Sequence, residues 1–186
     1  MSYDIAASLP SSESDRSLTA KATIRVRNVS ERPATSLTLR INQSAEITST
    51  SVNGSNIDAA KSQERLGGAT LQRIALRVPA VPAGGELTAV VDYKVPVADN
   101  TGVNSISPVA SHFLPLSFWY PTPNSWFFAR GADYAPFKLR LTTPAGLTSI
   151  SAGSESAGAF ENKLNGQPFI AAGSWDRADS SGVSVY

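Results

Sequence analysis

The residues that could do chemistry in this sequence are few, and the imidazoles are counted quickly because His112 is the only histidine. Catalytic zinc without cysteine takes two or three imidazoles, so His112 cannot assemble such a centre by itself. Cysteine is absent, which removes disulfides, thiolate metal sites and cysteine nucleophiles in one step. Asp133 stands beside Arg130 and Tyr134, but no second carboxylate lies near it in sequence to complete a general acid/base pair, so it reads as a solvated charge. The serine-rich stretches Ser11–Ser14 and Ser151–Ser156 lack the Gly-x-Ser-x-Gly elbow that presents a nucleophile and read as turns. Asn28-Val29-Ser30, Asn42-Gln43-Ser44 and Asn53-Gly54-Ser55 match the glycosylation acceptor pattern, which carries meaning only in a eukaryotic secretory setting. The densest aromatic run is Phe118-Trp119-Tyr120-Pro121-Thr122-Pro123, followed by Trp126-Phe127-Phe128. Such a run either fills a core beneath a loop or forms an exposed docking face.

Composition narrows the classes further. Sixteen Lys and Arg against fifteen Asp and Glu leave a net charge of +1, too small a field to gather nucleic acid or anionic lipid. Hydrophobic residues are 41% of the chain and never accumulate into the ~18 consecutive apolar residues that a membrane-spanning helix needs. Met1-Ser2-Tyr3-Asp4 shows neither a basic region nor an apolar region of an export signal, and the compartment stays open. A chain of 186 residues suffices for one substantial core, and one domain over 1–186 is the expectation.

The elements that must position any site are strands. Leu18, Ala20, Ala22, Ile24 and Val26 alternate with Thr19, Lys21, Thr23, Arg25 and Arg27, the period of a strand with one wet face. Leu37, Leu39 and Ile41 alternate with Thr38 and Arg40, and the turn chemistry of Ser30–Ala34 between the two runs predicts a hairpin. Ile74–Val78, Leu87–Val95 and Phe137–Leu141 repeat the pattern, and Leu147–Ala152, Gln167–Trp175 and Val183–Tyr186 read as later strands. Asn53-Gly54 between β-prone stretches predicts a type I′ turn, because both residues tolerate positive φ. No window shows a helical stripe. About ten closely spaced strands predict an all-β sandwich or saddle-like pair of curved sheets, antiparallel and mixed, with little or no helix. Pro96–Pro136 breaks the pattern and is expected to be an irregular, aromatic-rich loop.

These segments, taken in order, resemble the N-terminal domain of the membrane alanyl aminopeptidase family, the gluzincin zinc metallopeptidases. Tyr3-Asp4-Ile5 and the long strand after it resemble that family's first hairpin, and Val52-Asn53-Gly54 its Asn-Gly turn. Gly85-Glu86-Leu87 running to Asp92-Tyr93 is similar to a further strand. Phe118–Pro123, then Pro136-Phe137-Lys138-Leu139 through Pro144-Ala145-Gly146-Leu147, resemble the proline-rich segment and the strand and turn into which it leads. Pro168–Gly173 and Gly182–Tyr186 are similar to the closing strands.

The resemblance implies a non-catalytic domain that packs against a downstream catalytic domain and helps wall its peptide-substrate cleft. Zinc would belong to that catalytic domain, on a His-Glu-x-x-His helix that this chain lacks, so neither a catalytic residue nor a metal ligand nor a cofactor is assigned here. On this reading His112, Phe118, Trp119, Tyr120 and Trp126 are candidate contacts to the cleft or to the neighbouring domain. The family's glutamine ahead of the proline-rich segment, which reaches toward the substrate's amino group, has no counterpart in Pro108–Pro115, so that contact is not carried over. The competing expectation is a stand-alone β-sandwich module that binds carbohydrate or protein through the aromatic loop.

Overall fold

The computed structural model describes residues 1–12, 14–123, 134–176, 178–181 and 183–185. Its strands run, in chain order, β1 (Ser2–Ser8), β2 (Ser17–Arg27), β3 (Ala34–Asn42), β4 (Glu46–Val52), β5 (Ser55–Asn56), β6 (Ala59–Leu66), β7 (Ala69–Val81) and β8 (Glu86–Pro96). They continue with β9 (Asn104–Ser105), β10 (Ala110–Phe113), β11 (Thr122–Pro123), β12 (Ala135–Thr142), β13 (Thr148–Ile150), β14 (Ser154–Ser156), β15 (Ala159–Gly166), β16 (Ile170–Gly173), β17 (Ala178–Ser180) and β18 (Val183–Val185). Among the described residues the one helical element is a single 3-10 turn at Pro115–Ser117, and no helix is long and apolar enough to cross a membrane. The fold is all-β.

The large sheet has the order β14-β15-β12-β1-β2-β8-β4-β5. It is mixed, because β1 runs parallel to β12 and antiparallel to β2, and the β1–β2 pair is the first hairpin that the family resemblance implies. A second sheet runs β11-β3-β7-β6 and a third β13-β16-β10-β9, with β17 and β18 pairing separately. Strict alternation explains how they stack. Ile5, Leu18, Ala22, Ile24, Val91, Val95 and Leu139 are fully buried from the large sheet, Leu39, Ile41, Ile74 and Leu76 from the second, and Phe113, Ile170 and Ala172 from the third. All belong to one contiguous apolar cluster, in which each large side chain contributes roughly 1.5–3 kcal/mol of burial.

The hairpin expected between the Leu18–Val26 and Leu37–Ile41 runs does not form. β2 lies between β1 and β8, whereas β3 pairs with β7 and β11 in another sheet. Asn28 diverts the chain. Its backbone extends the β2–β8 ladder into the Pro82–Gly85 turn through Asn28 N–H to Gly85 O and Gly84 N–H to Asn28 O, both 2.8 Å. Its side-chain amide donates to Arg32 O at 2.8 Å and Val81 O at 3.0 Å, and its Oδ1 accepts from the Ser30 N–H and hydroxyl. Asn42 repeats the device at the end of β3. Its Oδ1 accepts from Ser44 N–H at 2.9 Å and Ser44 Oγ at 2.7 Å, and its amide donates to Ser117 O at 2.8 Å. Two of the three Asn-x-Ser triplets are therefore Asx turns that carry the chain between sheets. Asn42→Ala is expected to lower stability by about 1–2 kcal/mol, since it leaves the Ser117 carbonyl and the Ser44 amide without that partner; urea unfolding reads the change.

The third triplet forms the predicted turn, with Asn53 at φ 49° and Gly54 at φ 81° between the paired residues Val52 and Ser55. Ser154–Ser156, expected as part of a turn, is instead the edge strand β14. β6 carries mostly polar residues and lies largely in solvent on both faces, so no alternation marks it, and β15 buries only Phe160. Pro96–Pro136 contributes β9, β10 and β11 to two sheets.

Candidate functional site

Residues 104–123 thread from the third sheet into the core and onto the second. β10 sits between β9 and β16, with His112 opposite Ser105 and Ala171. After Leu114 the 3-10 turn closes on Phe118, whose φ of 53° is left-handed, a conformation that a bulky residue adopts only where its surroundings over-determine it. Here they do: Phe118 N–H donates to Pro115 O at 2.9 Å, Asn42 N–H donates to Phe118 O at 2.8 Å, and the Asn42 amide holds Ser117 O. The turn displays Leu116, 72% exposed, and sends the next two residues inward.

The described contact candidates, His112, Phe118, Trp119 and Tyr120, are not brought together in a cleft. Trp119 and Tyr120 are wholly buried and Phe118 is nearly so. Trp119 Nε1 donates to Pro168 O at 3.3 Å, and Tyr120 meets Trp119 and Tyr3 edge-to-face at centroid distances of 5.0 and 5.4 Å. In this chain the three fill the core, which large aromatics favour because each removes so much apolar area from water. His112 is half-buried, with Nε2 3.2 Å from Thr101 O. Trp126, Arg130 and Asp133 lie outside the described residues.

Around His112 the structure assembles a surface that sequence reasoning missed. Cross-strand register on the third sheet lines up Thr148, Gly173 and Ala110 in one row and Ile150, Ala171, His112 and Ser105 in the next. The alternate residues Ser111, Phe113, Ile170 and Ala172 are the buried ones, so these two rows form the outward face. Gly173 has no room for a side chain: a Cβ there would lie 2.7 Å from the Trp175 ring. That ring lies over Gly173, is tied by Nε1 to Thr148 O at 3.1 Å, and stays 39% exposed. Val109, 68% exposed, adjoins the first row. No Asp, Glu, Lys or Arg stands in either row. The outward face of the large sheet is the opposite, with Arg140 on Asp4 at 2.6 Å, Lys21 and Asp92 at 3.8 Å, and Ser49 donating to Asp92 at 2.6 Å.

The described residues do not fit a zinc ion. Among the described residues no group of three His, Asp or Glu stands close enough to hold a metal, and the register neighbours of His112 are Ser105 and Ala171. Tyr93, fully buried in the core, is kept a neutral phenol, because burial first and nearby Tyr120 second push its ionisation well up.

No protein-family model matches the sequence, and no curated protein matches it. Solved structures do share the fold. The M1 zinc metallopeptidase from Deinococcus radiodurans superposes with a TM-score of 0.67 at 15% identity, covering 93% of this chain and 41% of that one. Yeast LTA4 hydrolase in complex with bestatin gives 0.71 at 14% identity, covering 96% of this chain and 29% of that one. A mutant of the Deinococcus radiodurans enzyme bound to a Tyr-Ser-Ala substrate gives 0.65 at 15% identity, covering 100% and 45%. The all-β fold is thus one that M1 zinc metallopeptidases and LTA4 hydrolase contain, and this chain spans less than half the length of each solved chain.

Proposed function

We propose that this chain is a non-catalytic N-terminal domain of a zinc-dependent aminopeptidase-like polypeptide, where it packs against a catalytic domain and helps wall the peptide-substrate cleft. The observation that carries this reading is the unequal coverage: the fold match takes in 96% of this chain but 29% of yeast LTA4 hydrolase. The donor inventory agrees with it, since one histidine and no cysteine leave the hydrolytic metal to residues elsewhere. Zinc, when bound by the catalytic domain, would polarise the scissile carbonyl and activate water. The role of this segment is structural and steric.

The stand-alone binding module gains nothing from Phe118, Trp119 and Tyr120, which present almost no side-chain surface.

Two measurements test the proposal. The purified chain is expected to hydrolyse no aminoacyl-anilide and to retain no stoichiometric zinc on dialysis, and zinc-dependent turnover by this segment alone would sink the reading. The coding sequence downstream of Tyr186 is expected to contain His-Glu-x-x-His, and its absence over the next few hundred residues would count as decisively.

A further inference from the structure

The outward face of the third sheet differs from the rest of the surface in a way that calls for an occupant. The chain carries 31 charged side chains, from 16 Lys and Arg and 15 Asp and Glu, yet none lies among Ser105, Ala110, His112, Thr148, Ile150, Ala171 and Gly173. Charged side chains on exposed sheet faces keep them from pairing with other surfaces, and the large sheet follows that practice with Asp4, Lys21, Asp92 and Arg140. The third sheet instead presents small residues, Ala110, Ala171 and Gly173, beside Ile150, and holds the indole of Trp175 against Gly173. Small side chains let a second backbone layer approach closely, and a half-exposed tryptophan with its N–H already satisfied is an apolar anchor. Ile150 has no share in the core cluster.

We infer that this face is the docking surface for the remainder of the same polypeptide, met there by an uncharged, apolar layer of that chain, with Trp175 and Ile150 as anchors and Val109 at the rim. The inference rests on the proposed function and goes beyond it by naming the face. The occupant is set by length: the solved chains of this fold extend well beyond it, this chain matching 41% of one and 29% of another. Covalent attachment supplies the occupant at high effective concentration, so the contact needs little affinity of its own.

The absence of cysteine from this segment gives a direct test in the full polypeptide. Ala171→Cys and Val109→Cys place a thiol on the face and its rim, and Thr19→Cys places one on the exposed outer face of the large sheet, opposite Lys94. Maleimide labelling is read by mass spectrometry at each engineered position, with zinc content and aminopeptidase activity measured on the same samples. The expected result is that A171C and V109C label at least ~10-fold more slowly than T19C at every protein concentration. An active zinc enzyme in which both label at less than that protection overturns the docking face and leaves the proposed function standing. Protection that disappears on dilution assigns the face to a second copy of the chain and also overturns the inference. A polypeptide without zinc or activity overturns the proposed function, whatever the labelling shows.

Discussion

Trp119→Ala is expected to destabilise the chain by about 3–5 kcal/mol, the range for deleting a fully buried large aromatic. Trp119 has no exposed surface, its indole N–H is satisfied by Pro168 O at 3.3 Å, and its ring supports Tyr120, which in turn meets Tyr3 on β1. Removing it opens a cavity beside Tyr120 and leaves the Pro168 carbonyl without that donor. A loss of this size exceeds half the stability of many domains, so the purified variant should unfold at much lower urea. Trp119→Phe, which keeps most of the volume and loses the hydrogen bond, should cost clearly less. If Trp119→Ala left the urea midpoint unchanged, the burial of this aromatic segment would be wrong and the contact role first expected of Trp119 would return.

Glu64→Gln should produce the second-largest loss, about 2–3 kcal/mol at neutral pH. Arg40 on β3 is nearly buried, and its guanidinium grips Glu64 on β6 with both arms, Nε to Oε2 at 2.9 Å and Nη2 to Oε1 at 3.0 Å. Breaking a fully buried pair costs about 3–5 kcal/mol, because the surviving charge is stranded; the Glu64 side chain is 31% exposed, and water there reduces the figure. The hydrogen bond from Arg40 is the main cause holding the Glu64 carboxyl below the ordinary glutamate range, with burial opposing and the charges of Arg40 and Arg73 assisting. A depressed folded-state pKa means the contribution is fully present above the unfolded value of about 4.3 and is lost as pH falls through the lower folded value. Urea midpoints of the parent chain should therefore drop below about pH 4.3 more steeply than those of Glu64→Gln. Identical acid limbs for the two proteins would show that the pair contributes nothing.

Arg40 also shows where a local pattern stops being informative. Between Leu39 and Ile41 it occupies the polar phase of an alternating strand and reads as solvent-facing. In the structure it lies between Arg73 on β7 and Thr122 on β11, and both Arg40 and Thr122 are buried. Strand β11 comes from 82 positions further along the chain, as the pairing of Arg40 with Thr122 records, and no period within β3 announces it. The aromatic run behaved in the same way. Its composition allowed a core or a docking face, and the choice fell to Asn42, whose hydrogen bonds to Ser117 O and Phe118 O fix the direction in which the chain enters the core.

The amino-acid sequence alone determined that this protein is all-β, because side chains alternate across a strand with period two wherever one face is dry, as in Leu18–Val26 and Leu87–Val95. It also determined the Asn53-Gly54 turn, which depends on two adjacent residues. Tertiary structure decided which sheet each strand joins, which aromatics are inside, and where the uncharged face lies. Those are properties of rows that run across strands, and a row such as Ser105, His112, Ala171 and Ile150 brings together residues whose separation in sequence carries no periodic trace.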